Sequence, residues 1–254
     1  MLSVNTNVGA MVALQYLNKT VSELQATQTA INSGLKVAGP KDNGAVYAIA
    51  QNMRGNVAGY QAVSDSLNRG VSSIDVALAA GQSISDLLTE LKSKALASAD
   101  SSLDTASRNA LNADFTALRD QITNVVNNAS FNGTNLVDGS VANIQALAST
   151  DGTKRITVSG QTLSLSGVIV TLTTTGTIST LSKASTMIGT INTSIANVNA
   201  SLATLASGSK KFSIQNDFVS KLVDAYMASQ VAARSTPDRE NLPRCGSEPS
   251  RDTR

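Results

Sequence analysis

Histidine and tryptophan are absent from the 254 residues, and cysteine occurs once, at Cys245. Without histidine there is no Ser-His-Asp or Cys-His nucleophile system, no HExxH zinc site and no imidazole pH switch. A single cysteine forms neither an internal disulfide nor a thiolate metal cluster. Aromatics are only 3 %, too few for the bulky centre of most compact enzymes; much Ala, Ser, Thr and Asn suits thin helices packed side by side. Charged residues are 15 % and the net charge is +2, so no electrostatic footprint for nucleic acid or an anionic membrane results. The carboxylate pairs Asp100/Asp104 and Asp114/Asp120 have no second functional group nearby, and no Gly-rich phosphate loop follows a strand. No catalytic, cofactor-binding or metal site is expected, and not an enzyme.

Long apolar runs are missing too. Met1 to Asn18 carries no charge, but Asn5, Asn7, Gln15 and Asn18 interrupt it. A cleaved secretory signal needs a basic start and a continuous apolar stretch, and neither is present. Residues 156–182 and 184–209 are charge-free yet loaded with Ser, Thr, Asn or Gly, so neither reads as a membrane span. A soluble chain is expected, exported, if at all, without a cleaved signal.

What is present is apolar spacing of three and four residues. Leu14, Leu17, Val21, Leu24, Ile31 and Leu35 fall on a heptad seam with Gln28 as its one polar member. The stripe is narrow, and serves either self-assembly or an internal bundle contact. Asn32, Ser33 and Gly34 weaken that helix, and the run Gly39 to Gly44 with Pro40 breaks it. A second helix is expected from Ala45 to about Ala99, where Val46, Met53, Tyr60, Leu67, Ile74, Gly81, Leu88 and Ala95 recur every seventh residue. Such a rod is roughly 80 Å long. Gly55, Gly59, Gly70 and Gly81 weigh against its being unbroken.

A third helix starts near Asp104, with Leu111, Phe115, Leu118, Ile122, Val125 and Ala129 in alternating steps of four and three, and ends at Asn127, Asn128, Asn132 and Gly133. Residues 131–178 read as a small β-rich excursion. Asp151-Gly152 marks a hairpin, and Val168–Thr174 is β-branched and strand-like. A last long helix begins near Thr180 and carries Ile188, Ile191, Ile195, Val198, Leu202, Leu205, Ser209, Phe212, Asn216, Val219, Val223 and Tyr226 in 3-4 alternation. The expected fold is mainly α: a long antiparallel helical bundle or coiled coil with a β-hairpin-rich excursion. Its segments are 1–38, 39–130, 131–178, 179–234 and 235–254. The last holds three of the four prolines and alternating arginines and acids, without apolar periodicity, and is expected to be disordered. Arg54, Arg69, Arg108 and Arg119 could pair with Asp65, Asp114 or Asp120 of another subunit, or simply be solvated.

Four stretches resemble bacterial flagellin. They are Ser3-Val4-Asn5-Thr6-Asn7 with the following seam; Ile31-Asn32-Ser33-Gly34-Leu35-Lys36 through Lys41-Asp42 and Ala48-Ile49-Ala50; Arg108-Asn109 through Phe115 with Phe131-Asn132-Gly133-Thr134-Asn135-Leu136; and Ile214 through Leu222 with Phe218-Val219. The resemblance spans about 1–225. It implies a structural subunit of the extracellular flagellar filament, exported unfolded through the flagellar type III apparatus with a chaperone. The subunit polymerises with sister or other flagellin subunits beneath the filament cap and beside junction proteins. In such a filament the paired chain ends line the bore, a helical core domain forms the wall, and 131–178 is the only candidate outer insertion. Neither nucleic acid nor membrane insertion enters. A hook-filament junction protein and a secreted helical adhesin or binding module are the alternatives.

Two departures stand out. After about Asp224 the chain leaves the flagellin pattern, as a truncation, frameshift or rearrangement would produce. The seam over Leu14–Leu35 then lacks its intramolecular partner, and impaired self-assembly is expected. Second, the arginine-bearing motif R-I-R-E-L, by which many flagellins contact a vertebrate innate receptor, falls here on Leu87-Leu88-Thr89-Glu90-Leu91. Both arginines are replaced, at Leu87 and Thr89, so weak receptor activation is expected.

Overall fold

A computed structural model describes residues 7–234. The expectations for Ser3 to Thr6 and for the tail 235–254 lie outside these described residues. The elements in chain order are α1 (Val8–Ser33), α2 (Gly44–Ser98), α3 (Thr105–Asn128), β1 (Ser130–Phe131), β2 (Thr134–Asn135), β3 (Asn143–Leu147), β4 (Arg155–Ser159) and α4 (Leu181–Arg234). The described residues divide into two compact units: one holds 7–57 and 224–234, the other Ala58–Val223. The division falls within α2 and α4 rather than in a loop.

The larger unit is a helical bundle with a strap, the chain over 136–180 that leads from β2 through β3 and β4 to α4. Leu67, Ile74, Ile84, Leu88 and Leu91 of α2, Phe115, Ile122 and Val126 of α3, and Ile191, Val198, Leu205, Phe212 and Val219 of α4 share one buried core. α2 and α4 run antiparallel. Ser64 bonds Asn216 at 2.6 Å, and an added Cβ would touch Phe212 at Gly70 but Leu202 at Gly81. α3 folds back on α2, with Lys94 Nζ 2.6 Å from Asp114 Oδ2.

The glycines expected to threaten α2 leave it continuous over its 55 residues. At Gly70 a Cβ would lie 2.6 Å from Phe212 Cε2, and at Gly81 2.5 Å from Leu202 Cδ2. These two glycines therefore admit a neighbour's side chain; close packing compensates for their weak helix propensity.

α3 starts where Asp104 Oδ1 accepts from Ser107 N at 3.1 Å, and ends against the segment Phe131-Asn132-Gly133-Thr134-Asn135. Asn132 and Gly133 both have positive φ, 49° and 76°, and join β1 to β2 with Phe131 opposite Thr134. A two-residue turn of this hand matches strand twist and favours Asn-Gly. The reversal delivers buried Asn135 to the helix end. Its Nδ2 donates to Val126 O at 2.7 Å, and its Oδ1 accepts from Val137 N at 2.9 Å and Asp138 N at 3.2 Å. A side chain so placed gives Val126 O, in the last turn of α3, a second donor beside Ala129 N.

The second hairpin, β3 with β4, pairs Asn143 with Ser159 through Leu147 with Arg155, and Asp151-Gly152 sits in its connection, as expected. The expected strand at Val168–Thr174 does not form. Its backbone has no neighbouring strand. Val170 and Leu172 are buried, and Val170 O and Leu172 O accept locally from Gly167 N and Ser166 N. Thr171 N donates to Ser194 Oγ at 3.1 Å and Asn197 Nδ2 to Ile169 O at 3.3 Å, so α4 holds the segment through side chains. β-branching suits a pleated ladder only where a second edge is present.

Candidate assembly surface

In the smaller unit, α1 begins at Asn7, whose side chain accepts from Ala10 N at 3.2 Å, and ends at Gly34 with φ 67°. The left-handed conformation at Gly34 closes the helix, so Leu35, the last seam member, lies beyond it and is half-buried. Leu14, Leu17, Val21, Leu24 and Ile31 lie along α1, which has no buried residue; Leu14 is 59 % and Ile31 74 % exposed. With 26 residues the helix is about 39 Å long, and its apolar seam runs most of that length.

The connection from α1 to α2 is folded around two side chains. Asp42 Oδ2 accepts from Ala38 N and Gly39 N, both at 2.9 Å. Arg234 donates from Nε to Val37 O at 2.9 Å and from Nη2 to Ala38 O at 3.1 Å, and its guanidinium lies 5.5 Å from the Tyr47 ring centre. Lys36 N closes the link by donating to Arg234 O at 2.6 Å.

In the larger unit, the stretch Leu87–Leu91 is divided by its helical position. Leu88 and Leu91 are fully buried, Leu87 packs half-buried against the core, and Thr89 and Glu90 are exposed. Thr89 Oγ1 donates to Ser85 O at 3.0 Å, within its own helix.

Much of the charge suggested for contacts between subunits is satisfied inside the chain. Arg108 donates to the carbonyls of Ser98, Asp100 and Leu103, closing the α2–α3 turn. Buried Arg119 donates from Nη1 to Gly176 O at 2.9 Å and from Nη2 to Asp120 Oδ1 at 2.7 Å. Asp114 is held by Lys94 and Arg54 by Gln51. Asp65 and Arg69 make no ion pair among the described residues.

Of the acids paired in the sequence, Asp100 accepts from the turn at Ser102 and Asp104 caps the start of α3. The Ser102 backbone N–H, then its hydroxyl, lowers the pKa of Asp100. Ser107 lowers that of Asp104 through its hydroxyl and backbone N–H. In the second hairpin the Ser149 hydroxyl, with the N–H and hydroxyl of Thr153, holds Asp151 at about 2. Each favours the ionised carboxylate by hydrogen bonding.

Several structural residues escaped the apolar spacing because they are small or polar. Gly70, Ala77 and Ser98 continue the buried row of Ile84 and Leu91 on α2, and Ser194, Ser201 and Gly208 form one on α4. Their seven-residue recurrence was the available signal. Ser98 Oγ donates to Ile178 O at 2.6 Å and Ile178 N to Asn112 Oδ1 at 2.7 Å, pinning the strap where it returns to α4. Nothing in the sequence pattern marks these polar contacts.

The chain thus joins a bundle of long helices in the larger unit to a helix in the smaller unit whose apolar seam is exposed. Residues 4–142 match the bacterial flagellin N-terminal helical region. The chain is 51 % identical over 226 residues to flagellin FljK of Caulobacter vibrioides, covering 89 % of this chain and 82 % of that protein. It is 48 % identical to flagellin FljO of the same organism over the same shares. A crystal structure of Bacillus cereus flagellin shares the fold, with TM-score 0.54 at 20 % identity over 61 % of this chain and 88 % of that one. The chain belongs to the bacterial flagellins, structural proteins of the flagellar filament. Among the described residues, no helix is long and apolar enough to cross a membrane.

Proposed function

We propose that this filament subunit is exported unfolded by the flagellar type III apparatus with a chaperone, without a cleaved signal, and added outside the cell beneath the filament cap, above the junction proteins. The α1 seam of Leu14, Leu17, Val21, Leu24, Ile31 and adjoining Leu35 is the inner contact with other flagellin subunits. Residues 39–130 and 179–234 supply the wall, and 131–178 faces outward. Catalysis has no part in this reading. The observation that carries it is the bare seam of α1, because exposed contiguous apolar surface of this kind marks an interaction site. Covering one Leu, Ile or Val contributes about 1.5–3 kcal/mol, so half-covering five supplies several kcal/mol per contact. Leu17→Glu with Leu24→Glu tests it. Growth on flagellin filament seeds, followed by electron microscopy, is expected to stop while the dilute chain melts as before; undiminished growth refutes the assignment. Because Leu87 and Thr89 stand in place of the two receptor-contacting arginines, weak activation of the vertebrate innate receptor also belongs to this reading. A reporter-cell response equal to that of an arginine-bearing flagellin overturns it.

A further inference from the structure

The larger unit carries two exposed helix faces that mirror one another. On α4, Lys210 and Lys221 stand eleven residues apart, three turns and about 16 Å. Between them Ile214 is 60 % and Phe218 54 % exposed, with Lys211 at the side and Asp217 the one acid within the patch. On α2, Asp75 and Asp86 stand the same eleven residues apart, followed one turn later by Glu90, all exposed. The residues between on that face carry no large apolar side chain: Ala79, Gln82 and Ser83, also exposed. None of these lysines or acids makes an ion pair among the described residues.

We propose that these faces meet between copies of the chain, the α4 face of one subunit against the α2 face of the next. The two apolar side chains of α4 enter the shallow stretch at Ala79 and Ser83, and the lysines bracket them against Asp75, Asp86 and Glu90. Equal spacing of opposite charges sets the register, and bulk between the lysines faces its absence between the acids. The two patches differ, so each subunit offers one face and uses the other. That contact propagates along an open polymer instead of closing a pair. Phe218 has a reason for its exposure here: its neighbour Val219 fills the core, leaving more than half of the Phe218 surface open. The proposal rests on the filament reading and adds a contact separate from the α1 seam.

The test uses full-length chain grown on flagellin filament seeds from equal parts ¹⁴N- and ¹⁵N-labelled protein, then treated with a water-soluble carbodiimide. Mixed-isotope amide links from Lys210, Lys211 or Lys221 to Asp75, Asp86 or Glu90 are expected. Lys210→Glu with Lys221→Glu should raise the critical concentration about tenfold, because like charges then face each other. Adding Asp75→Lys and Asp86→Lys to that chain should restore growth to within about threefold of the original. Filaments without mixed-isotope links between these faces, or reversed lysines that leave growth unchanged, overturn the contact and leave the filament reading intact. Failure of the unaltered chain to extend any seed counts against both.

Discussion

Replacing Gly70 by alanine sets two physical effects on one helix against each other. By helix propensity alone, Gly→Ala inside α2 stabilises by about 1 kcal/mol. The new methyl, however, would lie 2.6 Å from Phe212 Cε2 and 2.8 Å from Cδ2, well inside contact distance. The ring is fully buried, and Ala146 Cβ also lies 3.6 Å from that methyl, so the crowding is not easily relieved. Overpacking of this kind costs about 1–3 kcal/mol. The expected balance is a net loss of up to about 2 kcal/mol, or a melting temperature lower by up to about 6 °C. Gly189→Ala is the control. Gly189 lies in α4, exposed, with nothing within 4 Å of an added Cβ, and should gain about 0.5–1 kcal/mol. Thermal circular dichroism on dilute chain reads both. Opposite signs are expected, and Phe212→Leu should lessen the penalty at Gly70. If Gly70→Ala stabilises as Gly189→Ala does, α2 and α4 do not approach as described, and close packing is not why these glycines sit within long helices.

Three further outcomes follow from single contacts. Arg119→Met leaves buried Gly176 O without its donor and should cost about 1–3 kcal/mol in chemical denaturation, with Arg119→Lys recovering less than half; a neutral methionine contradicts the clamp. Asp151 should titrate at about 2 by NMR. An unfolded carboxyl sits near 3.9, so the ionised form favours the folded hairpin at higher pH. That contribution is full above about 4 and disappears as pH falls through 2; Ser149→Ala should move the midpoint upward. Asn135→Ala removes one of two donors to Val126 O and leaves the buried Val137 N without its acceptor, and should cost about 1–3 kcal/mol with faster amide exchange around Val137; unchanged exchange contradicts the cap.

The long elements were legible because their cause is periodic. Leu111 to Ala129 and Ile188 to Tyr226 repeat in steps of three and four, and a helix with such a stripe forms wherever something covers it. Asp104 and the hairpin at Asp151-Gly152 were legible because caps and tight turns depend on local chemistry. Val168–Thr174 misled because β-branching expresses a preference for a pleated surface, while a strand also needs a partner edge. Gly70 and Gly81 misled because their cost is local and their compensation lies on α4.

By itself the sequence determined the lengths and phases of the helices, the positions of the turns and the apolar seam from Leu14 to Ile31, since each is set by neighbours within one or two turns of chain. Only the tertiary structure decided which small residues line the tight side of the bundle, which arginines are consumed internally, and that Phe218 faces outward while Val219 faces the core. Those outcomes depend on what lies across from a residue, and residues as far apart as Ser64 and Asn216 meet only after the chain has folded.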